Sequence, residues 1–152
     1  MICGEGRAVI AASPRDCIEF VLDLERYRQA DTKIGNVLSV DRVADNEYRA
    51  RFRSRFRGLP VPAVTQIINV TPWTAIDVVN APGWLDRLSR FEGSFRCEPV
   101  DGGTDVVHRE CLEFAVPLRR AAEAFLGSWL AADTRAEVDR MKLLLEGSAG
   151  SS

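Results

Sequence analysis

Tyr48-Arg49-Ala50-Arg51-Phe52-Arg53-Ser54-Arg55-Phe56 is the stretch that decides the fold. Successive side chains of a strand point to opposite faces, so Tyr48, Ala50, Phe52, Ser54 and Phe56 share one face while Arg49, Arg51, Arg53, Arg55 and Arg57 share the other. The pattern predicts a β-strand with an aromatic face turned inward and an arginine face turned to solvent.

The period of two continues on both sides of this strand. Turn residues at Asp45-Asn46, Gly58-Leu59-Pro60, Thr71-Pro72, Ala81-Pro82-Gly83 and Asp101-Gly102-Gly103 divide Ile34 to Phe114 into about six strand-like runs, the signature of an antiparallel meander. For the hairpin at Ala44-Asp45-Asn46, a three-residue loop sets Phe52 opposite Leu38, Ala50 opposite Val40 and Arg49 opposite Asp41. In the last hairpin, Gly102-Gly103 suits a tight turn and sets Phe91 opposite Phe114 and Phe95 opposite Glu110. The same register opposes Arg96 to Arg109, a like-charge pair that leaves a bulge near Pro99 as the alternative.

Helical spacing brackets the meander. Ser13-Pro14-Arg15-Asp16 reads as a capped helix start, followed by an apolar face of Cys17, Ile18, Val21 and Leu24. Gly6 to Ala12 reads as a preceding strand, and Glu25 to Lys33 as a break or second short helix. After Pro117 the period of 3.6 returns through Leu118, Ala122, Phe125, Trp129, Ala136 and Leu144, with Glu123, Asp133, Arg135, Glu137 and Lys142 read as the polar positions between them. One long helix is predicted from 118 to about 146. The domain is expected to span 1–147, with 148–152 a flexible tail.

Composition narrows the function classes. The 152 residues fit one domain of α+β class with its own core. A formal net charge of -2 supplies no positive excess for nucleic acid, which is therefore not an expected partner. The chain shows neither a leader-like N-terminus nor a membrane span, so a cytoplasmic location is expected. Four irregularly spaced cysteines, Cys3, Cys17, Cys97 and Cys111, and a single histidine predict small buried thiols rather than a disulfide framework or a metal site. No phosphate loop is present, and no cofactor is expected.

Several phrases carry a resemblance. They are Ala12-Ser13-Pro14 with Phe20-Val21-Leu22-Asp23-Leu24-Glu25-Arg26-Tyr27, then Phe91-Glu92-Gly93-Ser94-Phe95-Arg96-Cys97-Glu98-Pro99, and Gly102-Gly103-Thr104-Asp105-Val106-Val107. In this order, with a long terminal helix, the chain resembles the START/Bet v 1-like (SRPBCC) superfamily, on its polyketide cyclase/dehydrase and lipid-transport side. It departs at Arg28-Gln29-Ala30-Asp31, where such proteins often carry an aromatic residue or proline. The resemblance implies a helix-grip fold: a curved sheet of about seven strands wrapped on the C-terminal helix, with two short helices after the first strand. It also implies an internal cavity for a hydrophobic small molecule such as a lipid, isoprenoid or aromatic polyketide.

The inward set expected to line that cavity is Tyr48, Phe52, Phe56, Phe91, Phe95, Leu112, Phe114 and Trp129. On the last strand Val106, His108, Glu110, Leu112 and Phe114 share a face, so His108 and Glu110 enter the cavity as candidate acid/base residues. An aromatase/cyclase or dehydratase using His108 with Glu110, or Tyr48, is the enzymatic alternative to a carrier. Glu92, Arg87 and Arg90 near Trp84 are candidates for a polar mouth. The arginine face offers a third reading, docking on an acidic protein or RNA, against its ordinary role as a solvated surface.

Overall fold

The computed structural model describes residues 1–149. Along the chain run β1 (Ile2–Ile10), α1 (Pro14–Leu22), α2 (Leu24–Tyr27), β2 (Ile34–Ala44), β3 (Glu47–Phe56), β4 (Leu59–Thr71), β5 (Ala75–Asn80), a 3-10 turn (Leu85–Arg87), β6 (Ser89–Val100), β7 (Gly103–Phe114) and α3 (Val116–Ala149). The strands form one antiparallel sheet in the order β1-β7-β6-β5-β4-β3-β2. With the long helix laid against it, this is the α+β helix-grip layout.

Local chemistry explains the elements that position the cavity. Strand β3 buries Ala50, Phe52 and Ser54 and exposes Arg49, Arg51, Arg53 and Arg55, as its alternation demands. Helix α1 starts where Ser13 caps it, its hydroxyl accepting from the Asp16 N–H at 3.1 Å with Pro14 in the first turn. It buries Cys17, Ile18, Phe20 and Val21, and Phe20 meets Tyr27 edge-to-face, which in turn meets Phe95. That aromatic chain ties α1 and α2 to β6.

Both hairpin registers differ from expectation in part. The β2–β3 loop holds two residues, Asp45 and Asn46, yet Ala50 faces Val40 and Arg49 faces Asp41 as expected, because an irregularity between Arg42 and Ala44 restores the pairing. A second irregularity then moves Phe52 opposite Val37 rather than Leu38. In the last hairpin Val100 pairs with Gly103, so Phe91 faces Leu112, Phe95 faces His108 and Ser89 faces Phe114. Arg96 thereby meets Val107 instead of Arg109, and the like-charge clash disappears without a bulge.

Helix α3 corrects the sequence reading most. Leu118 and Phe125, expected inward, are 46% and 44% exposed. The inner face is instead Leu126, Leu130, Thr134, Val138, Met141 and Leu145, and it includes the acids Asp133 and Glu137, which the periodicity assigns to the polar surface. The helix also continues through Ala149, past the expected start of the tail; residues 150–152 lie outside the described residues.

Two glycines in β1 set how close α3 comes. A Cβ on Gly4 would lie 2.4 Å from Thr134 Oγ1, and one on Gly6 would lie 2.7 Å from the Thr134 carbonyl oxygen. Only glycine leaves room for this backbone approach. On the adjacent β7, Cys111 faces Cys3 in register, and the two form a disulfide. This overturns the expectation of thiols at all four positions, since residues 108 apart in sequence become neighbours only once the strands pair. Cys17 and Cys97 are free and buried, and burial pushes their thiols up to about 11 and about 12.

Candidate functional site

A cavity of about 90 Å³ lies on the concave face of the sheet, covered by Val21 of α1, Leu24 and Tyr27 of α2 and Glu137 of α3. Its wall is largely apolar: Phe52 and Phe56 from β3, Ile68 from β4, Ile76 from β5, Phe91 and Phe95 from β6, and Leu112 from β7. Of the sequence-derived set, Phe52, Phe56, Phe91, Phe95 and Leu112 therefore reach the wall. Tyr48, Phe114 and Trp129 do not: Tyr48 packs against the neighbouring core, and Trp129 stands behind Phe56 with ring centroids 6.1 Å apart. Arg87, Arg90 and Glu92 are exposed and line no part of it.

One end of this cavity is ionic. His108 and Glu110 project from β7, Glu137 from α3, Tyr27 from the end of α2, and Asp31 and Lys33 from the segment entering β2. The Lys33 ammonium lies 2.9 Å from Asp31, 3.0 Å from Glu110, 3.0 Å from Asp133 and 2.8 Å from Glu137. All five side chains are no more than 9% exposed. Thr134 donates to Glu110 at 3.1 Å, Thr32 to Asp133 at 3.1 Å, and the Tyr27 hydroxyl to Glu137.

His108 completes the cluster. Nδ1 donates to the Ser94 carbonyl at 2.9 Å, which leaves Nε2 3.1 Å from Glu137 and 3.5 Å from Glu110. Nε2 is buried and has no hydrogen-bond partner. Phe95 stacks on the ring at a centroid distance of 3.9 Å and fixes its plane.

Carboxyl groups outnumber cations here: Asp31, Glu110, Asp133 and Glu137 face Lys33 and Arg140. Burial alone would lower Lys33, but Asp31, Glu110 and Asp133 outweigh it and hold the ammonium protonated well above its ordinary value. Glu110 is pulled the other way: burial raises it, yet Lys33 and His108 bring it down to about 2. Burial dominates for Asp31 and Glu137, which are raised, Glu137 strongly. Lys33 and Glu110 are therefore the cluster's fixed charges, while burial favours the neutral acid at Asp31 and Glu137.

Asp31, Lys33, Asp133 and Glu137 were missed by sequence reasoning, because charged residues are presumed exposed. One signal was available: Leu130, Thr134, Val138 and Met141 form a helical stripe, and Glu137 falls inside it.

A largely apolar cavity on a curved sheet that carries one long helix, with ionisable groups at one end, marks a protein of the helix-grip class. The family model described as polyketide cyclase / dehydrase and lipid transport matches residues 1–146, and the chain belongs to that family. Among solved structures, TTHA0849 from Thermus thermophilus superposes with a TM-score of 0.74 at 18% identity, covering 99% of both chains. The Zhui aromatase/cyclase from Streptomyces sp. R1128 gives 0.69 at 14% identity, covering 93% of each. The di-domain ARO/CYC StfQ from the steffimycin biosynthetic pathway gives 0.76 at 12% identity over 98% of this chain and 52% of that one. At these identities the likeness is one of fold. Comparison with curated protein sequences returns no match. Among the described residues no helix is long and apolar enough to cross a membrane.

Proposed function

We propose that this chain binds a hydrophobic small molecule of the lipid, isoprenoid or aromatic polyketide kind, its apolar body against the Phe52, Phe91 and Leu112 wall and a polar end toward His108. The observation that carries this reading is the cavity itself: apolar along most of its length and polar at one end, the composition of a small-molecule site. Its volume of about 90 Å³ is below the ~300–1,000 Å³ of sites that hold drug-sized ligands, so binding requires the half-buried Phe56 and Phe91 to swing aside. Native mass spectrometry of freshly purified protein, followed by extraction, tests this. A 1:1 organic adduct that disappears in Ser89→Trp, which fills the cavity, is expected; a chain with no adduct and no saturable uptake of any lipophilic probe overturns the reading.

A second reading, acid/base chemistry of the cyclase or dehydratase type, is favoured by His108. A buried imidazole with a fixed tautomer, set between carboxylates and facing a cavity, has the geometry of a general base for enolisation. The experiment that separates carrier from enzyme is His108→Ala: an enzyme loses turnover while ligand affinity survives, whereas a carrier has no turnover to lose.

A further inference from the structure

We propose that the ionic end of the cavity is a divalent-cation site whose ligands are His108 Nε2 and one oxygen each from Glu110 and Glu137. The three side chains offer ligand atoms that all lie within 4.8 Å of one another, and each residue is buried. His108 Nε2 stands 3.1 Å from Glu137 Oε1 and 3.5 Å from Glu110 Oε1. Ligands held about 2.0–2.2 Å from a zinc-sized ion are separated by roughly 3.0–3.5 Å at right or tetrahedral angles, so these gaps match the edges of a coordination polyhedron.

The unpartnered nitrogen points the same way. Because Nδ1 donates to the Ser94 carbonyl, Nε2 is the ring atom that faces the Oε1 atoms of Glu110 and Glu137, and among the described residues it has no hydrogen-bond partner, while Glu137 Oε1 also accepts from the Tyr27 hydroxyl. A cation held among the three atoms would give Nε2 its missing partner. A backbone carbonyl on the far nitrogen is also the usual outer partner of a metal-bound imidazole.

The surrounding groups are divided accordingly. Glu110 Oε2 is held by Lys33 at 3.0 Å and Thr134 at 3.1 Å, and Glu137 Oε2 by Lys33 at 2.8 Å, while the Oε1 atoms of both turn to His108, that of Glu137 also accepting from the Tyr27 hydroxyl. Lys33 is thus an outer partner that orients the ligands and does not fill the site. The neighbouring trio Asp31, Asp133 and Glu137 is different, since Lys33 lies within 3.0 Å of each and already serves as its cation.

One imidazole with two carboxylates suits zinc, manganese or ferrous iron better than the all-oxygen preference of magnesium or calcium. Because the trio lines the cavity, coordination positions remain for water or for a ligand carbonyl, which the ion would polarise. Ion binding needs no organic ligand, so it can fail while the cavity reading stands, and the reverse.

The experiment uses the untagged, chelator-treated full chain. Its sequence contains one histidine, so the imidazole ¹⁵N spectrum reports His108 without any substitution. Titration with Zn²⁺ is expected to saturate at one ion per chain by calorimetry, to shift the Nε2 resonance, and to leave Nδ1 protonated. Glu137→Gln and His108→Gln, each checked for a native thermal transition, are expected to weaken ion binding at least tenfold. Absence of stoichiometric binding, an Nε2 resonance that ignores the ion, or full affinity in both variants overturns the proposal.

Discussion

The two halves of α3 invert each other. From Leu130 onward the helix buries not only Leu130, Val138, Met141 and Leu145 but also Asp133 and Glu137, both nearly inaccessible to water. From Val116 to Phe125 it does the opposite, leaving Val116 79%, Leu118 46% and Phe125 44% exposed. Acids inside and large apolar side chains outside is the reverse of what burial favours. The inner half carries charge because Asp133 and Glu137 join the ionic cluster, whereas the outer half meets the β3–β4 turn, where Arg57 donates to the Phe125 carbonyl.

The largest expected way to break this contrast is Lys33→Met. Removing the one cation shared by four buried carboxylates should cost about 3–5 kcal/mol or more, read as a loss of denaturant midpoint. A cost below about 1 kcal/mol would mean the cluster is hydrated and the contrast illusory. Reducing the Cys3–Cys111 bridge should cost about 2–4 kcal/mol, because it closes a loop of 108 residues and pins β1, the strand on which the inner half rests. Denaturation with and without dithiothreitol measures it.

Smaller effects sharpen the contrast. Gly6→Ala should cost about 1–3 kcal/mol by forcing β1 away from the Thr134 backbone, with a parallel drop in probe uptake by the cavity. Leu118→Ser, in the outer half, should stay within about 0.5 kcal/mol of the native chain. The weakest expected effect concerns Asp105, which the Arg7 guanidinium holds below the usual carboxylate range through hydrogen bonds of 3.0 and 2.6 Å. A depressed carboxylate stabilises above its ordinary value near ~3.9 and loses that contribution as pH falls through the folded value. Native and Asp105→Asn stability curves should therefore differ at neutral pH and converge in acid.

What the sequence made legible was local. The alternation at Tyr48–Phe56 named a strand and its faces, and the same period of two turned His108 and Glu110 inward, because neither inference needs a distant partner. The β6–β7 register was displaced because it depends on whether the turn is centred on Gly102-Gly103 or, as observed, on Asp101-Gly102, a matter of backbone angle rather than of hydrophobicity. Asp31, Lys33, Asp133 and Glu137 stayed hidden for a different reason. Each is costly to bury alone, and only their assembly from the β2 entry, β7 and α3 makes burial tolerable. The disulfide was hidden likewise, its two halves adjacent only across paired strands.

The interruptions that displace pairing along β2 have a consequence beyond register. Strand β2 closes one edge of the sheet and exposes Leu38, Val40 and Val43, an apolar ribbon with unpaired backbone groups that invites another chain to add a strand. Its bulges break the even spacing of those groups, so no long ladder can zip onto them. The column of arginines on β3 next to it adds mutual repulsion between two molecules meeting edge to edge. Colloidal behaviour should therefore depend on ionic strength: added salt screens the column and leaves the bulges as the only guard against fibrous association.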